Sequence, residues 1–112
     1  MDETMRRKGF SPYGPSKVAV ESETAIWAQD LADTGVTVNA PLPGGESATG
    51  MIPPDVPEAI QAQLLPPEIM VPPLLWLVSR AADQVTGKRV IARQWTPYAP
   101  KDALADAGWE LR

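Results

Sequence analysis

Apolar residues recur at intervals of three and four positions over residues 14–33 of the chain. This period is that of an α-helix with one apolar face, so the pattern predicts a helix over this range. A proline, here Pro15, is tolerated in the first helical turn, and Gly35 stands where a left-handed residue is expected after the helix. The predicted apolar stripe contains Val20, Thr24, Trp27, Ala28 and Leu31, and the residues predicted to lie off it are Glu21, Gln29 and Asp33.

Two short runs rich in β-branched residues predict strands, one at residues 36–40 and one at residues 88–92. A helical pattern at residues 74–78 precedes the second run. The order helix, strand, helix, strand favours an α/β architecture, in which a crossover containing a helix joins two parallel strands. Near the C-terminus the pattern predicts at most a weak helix, around residues 103–107.

Prolines dominate the segment between the two predicted strands, where nine of the thirteen prolines lie at positions 41–73. Because proline interrupts helices and strand ladders, this segment is predicted to consist of short pieces such as residues 58–65. It is either a lid over a substrate or a rigid irregular connection. Pro41 lacks a ladder donor, so it is expected at a sheet edge or a strand end.

Composition narrows the chemistry that is available to the chain. It has neither histidine nor cysteine, which excludes serine-histidine and cysteine-histidine catalysis and makes a metal site unexpected. The net charge of −4 argues against a nucleic-acid partner. No apolar run approaches the ~20 residues that span a bilayer, and the first residues do not resemble a signal peptide. We therefore expect no membrane partner and a cytoplasmic location.

Tyr13 and Lys17 form the candidate acid/base pair. They lie four residues apart at the start of the predicted helix, so both side chains are expected on one side of it. A neighbouring cation favours the phenolate form of a tyrosine, which suits this residue type to proton transfer at neutral pH. The alternative is that both are ordinary surface residues, since this spacing is common on helices.

Three segments carry a family resemblance. Residues 13–17, Tyr-Gly-Pro-Ser-Lys, form a YxxxK motif; the strand at 36–40 leads to Pro43-Gly44; and Thr86-Gly87 precedes the second strand. In this order, over about residues 10–92, the chain resembles the C-terminal part of the short-chain dehydrogenase/reductase family. The resemblance implies that residues 1–112 are a single, incomplete C-terminal portion of a Rossmann-like domain with a doubly wound parallel sheet.

The same resemblance implies an oxidoreductase that interconverts a small alcohol and a carbonyl compound with NAD or NADP. Tyr13 would exchange the proton, and Lys17 would support it and hold the nicotinamide ribose. The residues implied at the cofactor are Tyr13, Lys17, Pro43, Gly44, Ser47 and Thr49. Those expected to line the substrate, with core packing as the alternative, are Met51, Ile52 and Leu64.

The chain departs from the family at several points. It contains neither GxxxGxG nor GxGxxG for the cofactor phosphates, and the family's active-site serine would fall at or before Met1. Arg93 follows the last strand where the family has a glycine pair. The leading hypothesis is therefore an enzyme fragment that is inactive alone and lacks an N-terminal half. The alternative is a non-catalytic interaction or dimerisation module. The expected protein partner is a second copy of the chain, through self-association, or a missing N-terminal half.

Overall fold

A computed structural model describes residues 5–45, 47 and 55–108. The α-helices are α1 (Tyr13–Asp30), α2 (Glu58–Gln61) and α3 (Val71–Leu77), and the strands are β1 (Ala40–Leu42), β2 (Lys88–Ile91) and β3 (Leu104–Asp106). Short 3-10 helices adjoin them at Pro67–Met70, Arg80–Ala82, Ala92–Gln94 and Pro100–Ala103. The predicted mixed α/β architecture is confirmed.

The three strands form one sheet in the order β1-β2-β3. β1 pairs with β2 in parallel, with Leu42 opposite Ile91, which confirms the predicted parallel pair. β3 pairs with β2 in antiparallel fashion, with Leu104 opposite Val90. The weak helix predicted around residues 103–107 was wrong, because pairing with β2 outweighs a weak local preference for helix. Val90 of the central strand is fully buried.

β1 begins at Ala40, later than predicted. Side chains form hydrogen bonds with the backbone on either side of the preceding segment. The Val38 N–H donates a hydrogen bond to Oγ1 of Thr86 (3.1 Å), and Nδ2 of Asn39 donates to the Val85 carbonyl (2.9 Å). Oδ1 of Asn39 accepts a hydrogen bond from the Lys88 N–H (3.2 Å). Together with the backbone hydrogen bond that the Gly87 N–H donates to the Val38 carbonyl (2.8 Å), these side chains connect residues 38 and 39 to the start of β2. Pro41 lies in an edge strand, as its missing donor predicted.

α1 ends at Asp30, three residues earlier than predicted, and Gly35 has a φ of +79° in the turn that follows. The buried residues of the helix are Gly14, Glu21, Thr24 and Ala28. The stripe prediction was wrong for Val20 and Trp27, which are about half exposed (51% and 50%), and for Glu21, which is buried. Glu21 is buried because Arg89 of β2 provides an opposite charge, with Nε 2.9 Å from Oε1 of Glu21.

α3 starts at Val71 and holds two prolines in its first turn, a position where the missing proline N–H costs little. Four residues at helical spacing are at least half exposed and form what we term the α3 stripe: Val71, Leu74, Leu75 and Val78. The buried hydrophobic residues are mostly small, namely Ala28, Ala82, Val85, Val90, Ile91, Ala92 and Ala103. Within the described ranges, no helix combines the length and apolar character needed to cross a membrane.

Candidate functional site

The direction of α1 along the sheet decides where Tyr13 and Lys17 lie. Ala28 packs against Gly87 just before β2, while Glu21, about two turns earlier on α1, contacts Arg89 further along the strand. α1 is therefore antiparallel to β2. From Ala28 back to Lys17 the helix rises about 16 Å, and from Gly87 to Ile91 the strand extends about 13 Å. The start of α1 thus reaches the carboxyl end of the parallel pair.

Tyr13 and Lys17 lie on one side of α1, as their spacing predicted. Nζ of Lys17 is 5.3 Å from the centroid of the Tyr13 ring, over its face. The Phe10 ring meets Tyr13 edge-on at 6.2 Å, and Cζ of Arg7 lies 5.0 Å from the Phe10 centroid. Two contacting rings are therefore flanked by two cations at the start of the helix. The backbone of Met5 covers Gly14, where a Cβ atom would come within 2.9 Å of the Met5 carbonyl oxygen.

The Tyr13 hydroxyl is available for chemistry. Tyr13 is 41% exposed, and no residue in the described part of the chain hydrogen-bonds its hydroxyl. Lys17 is also exposed, and its ammonium contacts the tyrosine ring rather than the hydroxyl oxygen. The pair can therefore present a phenol and a nearby positive charge to a ligand that approaches from solvent.

Pro43 and Gly44 form a loop at the carboxyl end of β1. The Arg93 N–H donates to the Pro43 carbonyl (3.1 Å), and Nη1 of Arg93 donates to the Gly44 carbonyl (3.2 Å). Gly44 has a φ of +88°, and a Cβ atom there would lie 2.7 Å from Cγ of Arg93 and from Cγ2 of Ile91. Both the left-handed backbone and this close approach require glycine.

Of the other predicted site residues, the structure describes two, Ser47 and Leu64. Ser47 is half-buried and forms an isolated parallel bridge with Leu65. Leu64 is half-buried, but the residue that contacts the loop is its neighbour Leu65, 3.1 Å from the Cβ position at Gly45. Thr49, Met51 and Ile52 lie outside the described residues.

The two halves of the candidate site lie toward the same end of the sheet. Among the described residues, no hydrogen bond, ion pair or ring contact joins Tyr13 or Lys17 to Pro43, Gly44 or Ser47. In open α/β sheets ligands bind outside the carboxyl ends of parallel strands, which is where both halves lie. The described residues at this end of the sheet are a tyrosine, a lysine and a loop with a left-handed glycine. No glycine-rich turn of the kind that binds a dinucleotide pyrophosphate occurs in the sequence.

Sequence reasoning missed four residues that build this region: Glu21, Asn39, Thr86 and Arg93. Asn39 and Thr86 lie in segments that already carried the resemblance, and their side chains tie those segments together. Arg93 follows a predicted strand, and that position is the signal by which it could have been found, because ligands bind outside the carboxyl ends of parallel strands. Nothing local distinguishes Glu21 from a solvated helix residue. In the described ranges, no cluster of acidic side chains is arranged to hold a metal ion.

Comparisons of the chain with protein families, with curated proteins and with solved structures found no match. The fold and the site geometry are therefore the observations on which a function is proposed.

Proposed function

We propose that this chain forms the acid/base part of an NAD(P)-dependent oxidoreductase of the short-chain dehydrogenase/reductase type, which interconverts alcohols and carbonyl compounds. The observation that carries the proposal is the direction of α1. Because α1 runs antiparallel to β2, Tyr13 and Lys17 reach the same sheet edge as the Pro43-Gly44 loop. This edge is the ligand-binding side of parallel α/β sheets.

The proposed reaction uses groups that the site exposes. The Tyr13 hydroxyl gives a proton to the carbonyl oxygen during reduction and takes it from the alcohol during oxidation. Lys17 provides the adjacent positive charge and donors for the ribose hydroxyls of the cofactor. NAD or NADP supplies or accepts the hydride when it is bound. The pyrophosphate needs a glycine-rich turn that the 112 residues lack, so the proposal requires a complementary polypeptide that provides it.

Reconstitution tests this proposal. The chain is co-expressed with the nucleotide-binding half of a short-chain dehydrogenase/reductase, and hydride transfer is followed by nicotinamide absorbance with a panel of alcohols and ketones. Tyr13→Phe should lower turnover by at least about 100-fold while cofactor binding persists, because general acid/base catalysis contributes about that factor. Lys17→Ala should weaken both turnover and cofactor binding.

The chain offers a matched control for each substitution. Tyr98, the second tyrosine, is 96% exposed, so Tyr98→Phe should leave turnover unchanged. Lys101 is exposed beyond β2, so Lys101→Ala controls for the loss of one positive charge. A reconstituted enzyme in which Tyr13→Phe keeps most of the activity would contradict the proposal.

A second candidate function is a non-catalytic interaction module, and the α3 stripe favours it. Val71, Leu74, Leu75 and Val78 expose one continuous apolar helix face, an arrangement typical of protein interfaces. Both functions predict association through exposed apolar surface. They differ in that turnover dependent on Tyr13 is expected of the oxidoreductase alone.

A further inference from the structure

Arg93 lies at the carboxyl end of the parallel strands. It comes two residues after the end of β2, and its side chain reaches back across the loop that follows β1. Its aliphatic carbons lie where a side chain at Gly44 would otherwise be, and Nη1 lies 3.8 Å from the Cβ position at Gly45. The two glycines therefore leave the space through which the arginine side chain passes.

Counting the described residues alone, most of the hydrogen-bonding capacity of the Arg93 guanidinium is unused. A guanidinium carries five N–H donors in a planar fork. Within the described part of the chain, the Gly44 carbonyl oxygen is its one polar partner, and no carboxylate pairs with it. The amide N–H groups of Gly44 and Gly45 likewise donate to no described residue.

The neighbouring basic residues of the sheet are neutralised, in contrast to Arg93. Arg89 is buried against Glu21, and Lys88 pairs with Asp106 across the β2–β3 ladder. Arg93 is exposed, and no carboxylate among the described residues pairs with it, so within this part of the chain its charge is not neutralised. A planar fork of this kind matches the two oxygens of a carboxylate, which it binds through parallel hydrogen bonds.

We propose that Arg93, together with the Gly44–Gly45 backbone, binds the carboxylate of an anionic substrate, so that the substrate class is small hydroxy acids and oxo acids. The identification of this carboxylate as part of the substrate rests on the proposed oxidoreductase function. The carboxylate site itself rests on the geometry of Arg93 and the two glycines, and it can be tested without turnover.

Protection of arginine from phenylglyoxal, measured by peptide mass spectrometry, tests the site on the 112-residue chain. The probes are 3-hydroxybutyrate, its uncharged methyl ester, and inorganic phosphate. A ligand present at about three times its Kd should slow modification of the bound residue about fourfold. We expect 3-hydroxybutyrate to protect Arg93 and its methyl ester to give no protection. Arg80, exposed in the 3-10 helix Arg80–Ala82, should react equally under all conditions.

Equal reactivity of Arg93 with and without 3-hydroxybutyrate, or equal protection by the ester, would overturn the site. Stronger protection by phosphate than by 3-hydroxybutyrate would overturn the carboxylate assignment in favour of a phosphate site. Ligand-observed NMR provides a second measurement, in which saturation transfer to 3-hydroxybutyrate should be lost in Arg93→Gln and retained in Arg80→Gln. If Arg93 is protected but no turnover depends on Tyr13, the carboxylate site stands and its assignment to a substrate is overturned. If turnover depends on Tyr13 but Arg93 is not protected, the proposed function stands and the carboxylate site alone is rejected.

Discussion

Oε1 of Glu21 lies 2.9 Å from Nε of Arg89, and less than a tenth of either side chain is exposed. Nε of Arg89 makes no hydrogen bond of good geometry. The contact is therefore an ion pair at short distance and not a bidentate hydrogen-bonded pair. This pair joins α1 to the central strand. Because α1 carries Tyr13 and Lys17, the pair also helps to fix where the candidate acid/base residues lie.

Removing one partner of this pair should destabilise the fold strongly. Glu21→Ala leaves the Arg89 charge buried without compensation, which typically costs about 3–5 kcal/mol in the free energy of unfolding. Urea unfolding followed by circular dichroism measures the loss. Glu23→Ala is the matched control, because Glu23 is exposed on the same helix.

The double variant Glu21→Leu with Arg89→Met should recover most of the stability, since apolar residues of similar volume avoid the desolvation of both charges. If Glu21→Ala and Glu23→Ala unfold at the same urea concentration, the ion pair does not hold α1 against the sheet.

A substitution at Gly44 should be more damaging than the same substitution at Gly35. Both residues have positive φ, +88° and +79°, so alanine strains the backbone at either position. At Gly44 the new Cβ atom would also lie 2.7 Å from Ile91 and Arg93, whereas at Gly35 nothing lies within 4 Å. Overpacking of this kind costs about 1–3 kcal/mol beyond the shared strain. Unfolding of the two variants in urea gives this difference directly, and equal losses would show that the loop does not pack as described.

The 112-residue chain alone should not bind a nicotinamide dinucleotide tightly. It contains no glycine-rich turn to place a helix N-terminus against the pyrophosphate, and this interaction positions dinucleotides in such folds. Isothermal calorimetry with NAD(H) and NADP(H) is the measurement. Saturable binding in the micromolar range, or hydride transfer by the chain without a complement, would contradict this expectation.

The purified chain should self-associate or be loosely packed. Its buried hydrophobic residues are mostly small, while the α3 stripe and two large residues of α1, Val20 and Trp27, are at least half exposed. Leu75→Lys should lower the mass measured by light scattering, because it places a charge within the stripe. Tyr98→Lys changes an exposed residue outside the stripe and should leave the mass unchanged. A monodisperse monomer with one sharp thermal transition would argue for a self-sufficient domain.

Local pattern in the sequence determined several elements of this protein. The three-and-four spacing of apolar residues predicted the helix α1 but not the face that it buries, and β-branched residues after a Thr-Gly pair predicted β2. Pro41 indicated an edge strand because proline cannot donate to a ladder. The spacing of Tyr13 and Lys17 placed both on one side of α1, since helical neighbours four residues apart lie on the same face. These features depend on backbone geometry within a few residues.

Tertiary structure decided what local pattern could not. Glu21 is buried because a distant strand brings Arg89 to it, and a carboxylate without such a partner would remain in solvent. Residues 104–106 form β3 because β2 offers them a ladder, which outweighs their weak preference for helix. The location of Tyr13 at the carboxyl edge of the sheet follows from the antiparallel packing of α1 on β2. Contacts between distant segments determine that direction, and no residue of α1 specifies it alone.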